Sequence, residues 1–361
     1  MGMKARINEA GKFEPASGES GGSVLGNSYI TEFVRCPRSW FNKYYRPTLN
    51  DKVEPYRGIA RPTTSPHLII GSMFHEALEQ WYLSGVRDGH DTGERDLDHA
   101  LDHLETYWAS RKSEFPAWST KKQGQMTAEE CAQWAHDMVR TMTLGYHDFY
   151  GPRANLPEYP DIRVACFDGK PASELTLRFP LKPGYDYTSK VDLLVFEHGN
   201  LKVMEHKTTT TYGLYDLISS LPTGSQFTGE LWCAQQAFPE EIIAGVMVNA
   251  VLKEKPATGK YASTVGKRET TTRTPERVTR WRMGTIAVLD RIEQAIYAYE
   301  RHCEVGLSPE QAADMAFPTD GERNGHCNSY GGCTFGDLCA MAGEEERQLG
   351  LYKPVRPEDL K

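Results

Sequence analysis

A chain of 361 residues, 11% aromatic and with seven Trp, is long enough to bury a substantial core, which excludes general disorder. Its formal charge of −8 excludes a global attraction to nucleic acid or anionic membrane, so any polyanion site must be local. No apolar run approaches the roughly 20 residues that a membrane crossing needs, and the start MGMKARINEAGKF lacks the apolar stretch of a secretory signal, so a cytoplasmic protein is expected.

Residues 1–27, rich in Gly, Ser and Glu, are expected to form a disordered tail. Ser28 can cap a helix carrying Tyr29, Phe33, Trp40, Phe41 and Tyr44, with Cys36-Pro37 interrupting it or joining two short helices. A Pro-rich connector covers Pro47–Pro66. A second helix over Leu68–Leu83 puts Phe74, Leu78 and Trp81 on its core face, with His75, Glu79 and Tyr82 one step round. The spacings Leu97, Leu101, Leu104, Trp108 and Cys131, Trp134, Met138, Met142 mark 97–150 as a helical insertion or cap, its Met and Trp stripe read as packing.

Strand character begins at Ile162–Phe167 and Glu174–Phe179. Lys190–Phe196 and Leu201–Lys207 then read as a hairpin around His-Gly-Asn. With Gly199-Asn200 as the loop, His198 pairs with Leu201, Asp192 falls opposite Lys207, and Glu205 falls opposite Leu194 on the same face. A three-residue loop would turn Asp192 to the other face. A turn-rich stretch through Gly213 and Pro222-Thr223-Gly224 leads to a helix over Gln226–Phe238, where Gln226, Glu230 and Cys233 share one side. Glu241–Leu252 suits a central strand.

Between Lys253 and Arg282 nine Lys or Arg face three Glu, a local net of +6. Thr270–Thr274 and Val278–Trp281 read as an extended arm or hairpin, before a helix with Ile286, Leu289, Ile292, Ile296 and Tyr299 facing inward. Residues 346–361, with the polar stretch Pro354–Lys361, form a C-terminal tail.

Three constellations carry chemistry. Asp192 and Glu205 offer hard oxygen ligands suited to Mg²⁺ or Mn²⁺, and Lys207 beside them can orient water and offset phosphate charge; an ordinary surface ion pair is the plain alternative. His75 can add an imidazole nitrogen, or serve as a satisfied structural histidine. Cys36, Cys327, Cys333 and Cys339 can hold a [4Fe–4S] cluster or a structural Zn²⁺, and the long intervals of the C-x5-C-x5-C run point to the cluster. The remaining cysteines, Cys131, Cys166, Cys233 and Cys303, sit in apolar surroundings as small core residues, and no disulfide scaffold is expected.

The segments SYITEFVRCPRSW, GSMFHEALE, SKVDLLV, MEHKTTT, SQFTGELW and CNSYGGCTFGDLC, in that order, resemble the RecB-like exonucleases of the PD-(D/E)XK superfamily. The likeness is to the iron–sulfur subgroup that includes the AddB nuclease domain, CRISPR-associated nucleases and many phage-borne exonucleases, and it covers roughly Ser28–Met341. It implies an α/β restriction-endonuclease-like core, a central mixed sheet flanked by helices, within a single nuclease domain over 28–345. It also implies a [4Fe–4S] cluster joining the N- and C-terminal segments through Cys36 and the three late cysteines.

By the same resemblance His75, Asp192 and Glu205 bind Mg²⁺ or Mn²⁺, with the His206 carbonyl as a further ligand, and Lys207 is the catalytic lysine. Gln226 matches a Gln-x-x-x-Tyr motif on a helix near the site, with Glu230 where the family has Tyr. Arg35, Arg38, Lys43 and Arg46 around Cys36, together with the arm over 253–282, are candidates to track a phosphate backbone, with Tyr261 or Trp281 for base stacking; a solvated hairpin is the alternative for the arm. The implied function is a metal-dependent DNA exonuclease acting on single strands or DNA ends, in recombination, repair or phage DNA processing. Its place would be the cytoplasm, the host's if the chain is phage-encoded, with a recombination or replication protein as partner. A non-catalytic iron–sulfur DNA-binding accessory module is the other reading.

Overall fold

The computed structural model describes residues 6–7, 13–14, 23–46, 58–60, 65–120, 124–151, 162–253, 265–319, 325, 327, 333–340 and 349–354. Most of the N-terminal tail, of the connector at 47–66, of the basic stretch at 254–264 with Tyr261, and of the C-terminal tail lies outside them. After a short strand β1 (Ser23–Leu25), Cys36-Pro37 separates α1 (Asn27–Arg35) from α2 (Pro37–Tyr44). Proline lacks the N–H that would continue α1 but suits the first position of α2. Cys36 is therefore extended (φ −160°), and its N–H closes α1 on the Glu32 carbonyl at 2.9 Å.

Helix α3 (Pro66–Leu83) again starts on a proline. It buries Ile69, Ile70, Met73, Phe74, Leu78 and Trp81 against α4 (Leu97–Arg111) and α5 (Ala128–Tyr150). Thr127 and Glu130 form a reciprocal capping box at the start of α5. The expected insertion at 97–150 thus shares one core with α3: Cys131, Met138 and Met142 are buried there beside Leu193, Val195 and Met204.

Those last residues belong to a seven-stranded mixed sheet. Besides β1 it contains β2 (Ile162–Val164), β3 (Ser173–Lys182), β4 (Tyr185–Glu197), β5 (Asn200–Thr209), β6 (Ile243–Leu252) and β7 (Val265–Thr271). The path runs β3-β4-β5-β6-β7, with β1 and β2 also paired to β4. The neighbours on that path are antiparallel except β5 and β6, whose parallel pairing needs a crossover. Two helices make it, α6 (Thr211–Ser220) and α7 (Ser225–Ala237). Helix α6 corrects the turn-rich reading of this stretch; Thr210 caps it by accepting the Gly213 N–H. Helix α7 packs on β3, β4 and β6, with Trp232 set edge-on to Phe179 and Tyr187. Gly229 permits that approach, since a Cβ there would meet the Tyr187 hydroxyl at 2.3 Å.

The hairpin β4–β5 departs from its expected register by two residues. Glu197 pairs with Asn200 and Phe196 with Leu201, so the loop is His198-Gly199, not Gly199-Asn200. Both loop residues take positive φ, 50° and 77°, the signature of a type I′ turn that matches strand twist. A shift of two preserves side-chain parity, so Asp192 and Glu205 still share a face.

From Pro275 the chain is helical through Glu304 (α8), which corrects the extended reading of Val278–Trp281. Then come α9 (Pro309–Ala316) and α10 (Gly336–Ala340). The residues cluster into two compact units: Met1–Val24 with Thr63–Thr279, and Leu25–Pro62 with Arg280–Lys361.

The second unit is built on aromatic packing. Phe41 lies 4.9 Å from Phe317 and 5.1 Å from Tyr299, and Trp40 stacks on Phe317 at 5.7 Å. Arg38 pairs with Asp314 and Arg46 with Glu310, and both guanidinium side chains are buried. These two arginines are structural, which corrects their assignment to a phosphate track. Among the described residues no helix is long and apolar enough to cross a membrane.

The turn sets up a stability prediction. A Cβ at Gly199 meets nothing within 4 Å, so Gly199→Ala should cost about 1 kcal/mol from backbone conformation alone. His198→Asn, a residue that tolerates positive φ, should be neutral or slightly stabilising. Urea midpoints of the two variants check this, and an unshifted Gly199→Ala midpoint would contradict the turn.

Candidate metal centre

Three carboxylates stand in one row across three strands. In the β3–β4 register, Ser173 pairs with Leu193 and Leu175 with Val191, which sets Glu174 opposite Asp192. In the β4–β5 register the last pair is Leu193 with Met204, and one step further sets Asp192 opposite Glu205. Glu174 adopts φ 48°, a left-handed conformation unusual for a non-glycine residue within a strand. Among the described residues, His75, Glu174 and Asp192 form the group whose ligand atoms all lie within 4.8 Å of one another, a set suited to a divalent metal ion.

Asp192 is the hub. Its Oδ2 accepts the His206 backbone N–H at 2.7 Å, and its Oδ1 lies 3.2 Å from His75 Nδ1. Burial would raise its pKa, yet the His75 charge and hydrogen bond and the neighbouring His206 hold it well below the usual carboxylate range. His75 responds in kind: burial lowers its pKa, but Asp192 and Glu205 outweigh that and raise it.

Glu205 is buried, with Oε1 accepting from Lys207 Nζ at 2.5 Å and from Gln226 Nε2 at 3.0 Å. Its Oε2 has no hydrogen-bond partner. Burial first, and Asp192 second, push its carboxyl up to about 7 against the pull of Lys207. Glu230, one turn beyond Gln226 on α7, is fully buried, and its Oε2 is also without a partner. Burial and the charge of Glu205 raise its pKa well above the ordinary value. Lys207 stays protonated: burial alone would lower it, but Glu205 and Glu230 raise it.

The structure therefore brings together His75, Asp192, Glu205, Lys207 and Gln226. The His206 ring packs beside the site: it lies edge-on to His75 at 6.0 Å and stacks on Tyr82 at 5.8 Å, its Nδ1 lies 3.3 Å from Asn249 Nδ2, and burial lowers its pKa to about 3. Its backbone N–H is what hydrogen-bonds a carboxylate of the row. Glu174 was missed in the sequence, although the Pro183-Gly184 turn signal, followed back along both strands, leads to it. Glu79 was noted only as a neighbour of the core face. It accepts from Ser173 Oγ at 3.0 Å, and burial followed by the Glu174 charge raises it to about 7.

None of the four cysteines suggested as a set is in a disulfide, and all four lie within the second unit. Cys36 caps α2, Cys333 donates its N–H to the Cys327 carbonyl at 2.9 Å, and Cys339 lies on α10. Burial pushes the Cys339 thiol up to about 11, with smaller contributions from Cys333, Cys36 and Cys327 and an opposing one from Arg38. Among the described residues no set of three or more cysteines brings all its sulfurs within 4.8 Å of one another.

A family model described as the PD-(D/E)XK nuclease superfamily matches residues 27–340. A search of curated proteins found none that matches the chain.

Glu79 supplies a pH test. Folded, it keeps its proton up to about pH 7; unfolded, it loses it near 4.5. The folded state thus binds more protons in between, and this group's contribution to stability is largest below pH 4.5 and falls as pH rises toward 7. Glu79→Gln should lose less melting temperature than wild type across that window. Parallel melting profiles would contradict the assignment.

Proposed function

Because the chain belongs to the PD-(D/E)XK nuclease superfamily, we propose that it is a Mg²⁺- or Mn²⁺-dependent deoxyribonuclease that hydrolyses phosphodiester bonds as an exonuclease on single strands or DNA ends. The observation that carries this reading is the carboxylate row Glu174, Asp192, Glu205 closed by His75 and Lys207. Hard oxygens fit Mg²⁺ or Mn²⁺, and the buried Glu205 Oε2 without a protein partner is the atom such an ion would satisfy. His75, Glu174, Asp192 and Glu205 would hold it, with the His206 carbonyl as a further donor. When bound, the ion supplies Lewis-acid stabilisation of charge at phosphorus and a more acidic water.

The protein's own groups do the rest. Lys207, protonated, bonded to Glu205 and favoured by the Glu230 charge, orients the attacking water and offsets charge on the phosphate oxygens. Gln226 fixes the Glu205 carboxylate that Lys207 leans on. His75 orients Asp192. The exonuclease reading and the role in recombination, repair or phage DNA processing are supported by the order of the motifs, which resembles the RecB-like exonucleases.

A [4Fe–4S] cluster on Cys36, Cys327, Cys333 and Cys339 belongs to the same proposal, in a structural role. The mutual influence of these thiols on Cys339 supports a shared site. A single zinc would hold four thiolates on one ion, whereas a cluster gives each thiolate its own iron, and the long C-x5-C-x5-C intervals favour the cluster.

End-labelled single-stranded DNA with Mg²⁺ or Mn²⁺ tests the activity. Lys207→Ala should lose about 10²-fold or more in rate, and chelation should abolish cleavage; unchanged activity in Lys207→Ala would sink the assignment. Cys333→Ser should release iron and lower the melting temperature. A colourless wild type containing zinc after purification without air would replace the cluster by a zinc site.

A further inference from the structure

A cleft of about 300 Å³ opens against the metal-ligand group. Two of the three ligand side chains, His75 and Glu174, form its inner wall. Tyr107 of α4, the helix that the sequence marks as an insertion, also lines it. That ring is half-buried and rests on the α3–α5 core. Arg111 holds it from outside, donating to the Tyr107 hydroxyl at 2.6 Å with its guanidinium 5.4 Å from the ring centroid, and Glu114 in turn fixes Arg111. Lys190, largely exposed and paired with Glu174, stands at the lining, and Ser72 of α3 lies exposed on the other side.

We infer that this cleft seats one nucleotide of a single strand, its base against Tyr107 and its phosphate beside His75 and Glu174. The inference rests on the nuclease reading above and adds the subsite. The volume lies at the lower end of the ~300–1,000 Å³ of ligand pockets, room for one nucleotide and not for a duplex. A base inside a duplex is stacked on its neighbours, so only an unpaired nucleotide offers its face to Tyr107. Glu76 and Glu174 in the walls repel a bare phosphate. Nucleotide binding should therefore require the divalent ion, while Tyr107 and Ser72 offer the base an aromatic ring and a hydroxyl.

Calorimetric titration of the full chain with thymidine 5′-monophosphate and Mn²⁺ tests this without turnover. Wild type should bind only with the metal. Tyr107→Ala should bind about tenfold more weakly, Tyr107→Phe like wild type, and Ser72→Phe, which fills the cleft from an exposed helix position, more weakly again. Photocrosslinking of 5-iododeoxyuridine monophosphate to the wild-type chain should label Tyr107, which removes dependence on how the variants fold. A wild type that cleaves DNA while folded Tyr107→Ala and Ser72→Phe bind the nucleotide unchanged, or a crosslink placed elsewhere, overturns the subsite. Lost nucleotide binding in Tyr107→Ala alongside a wild type without nuclease activity keeps the subsite and overturns the nuclease reading instead.

Discussion

One carboxylate ties the metal centre together. Asp192 is almost fully buried, and a charge in such a place costs several kcal/mol unless it is paired and hydrogen-bonded. It has both: the His206 backbone N–H from β5 and the His75 imidazole from α3. The N–H contact joins β4 to β5 one step past their last paired residues, so the interaction that neutralises the charge also aligns Asp192 with Glu205. Without it the row would lack its middle member.

The rest of the site is poised by repulsion. Glu205, Glu230 and Glu79 all carry raised pKa values, each because burial favours the neutral acid and a neighbouring carboxylate adds to the effect. Lys207 partly relieves this at Glu205 and Glu230 and Lys190 at Glu79, and the unpartnered oxygens of Glu205 and Glu230 show how incompletely. Glu174 adds a left-handed backbone. Such strain persists because the surrounding core over-determines it, and it concentrates where function needs it. Behind the row, the neutral His206 joins Asn249, Tyr146 and Arg268 in a buried hydrogen-bonded network, so an arginine from the basic stretch is spent on structure and not on phosphate. Arg38 and Arg46 meet the same fate in the second unit.

Much of this was legible beforehand for local reasons. The face Phe74, Leu78, Trp81 follows from helical period, the α1–α2 break from Cys36-Pro37, and the β4–β5 hairpin from a Gly-Asn turn signal between apolar runs. The turn was misplaced, because His198 was not credited with a positive φ, yet the error of two residues kept Asp192 and Glu205 on one face. Helix α6 was missed because Gly213 and its Thr-rich start read as loop until Thr210 is seen to cap it.

The sequence by itself determined most of the elements, the existence of the hairpin and the kinds of ligand available, since periodicity, caps and turn residues act over a few positions. Tertiary structure alone decided which residues meet. Glu174 joins His75 and Asp192 only through strand register, and Gln226 reaches Glu205 only because α7 crosses back over the sheet. Arg38 finds its acid 276 residues further along the chain. Charge and spacing along a sequence do not encode such encounters, because a side chain's partner is set by the packing of whole elements and not by its neighbours in the chain.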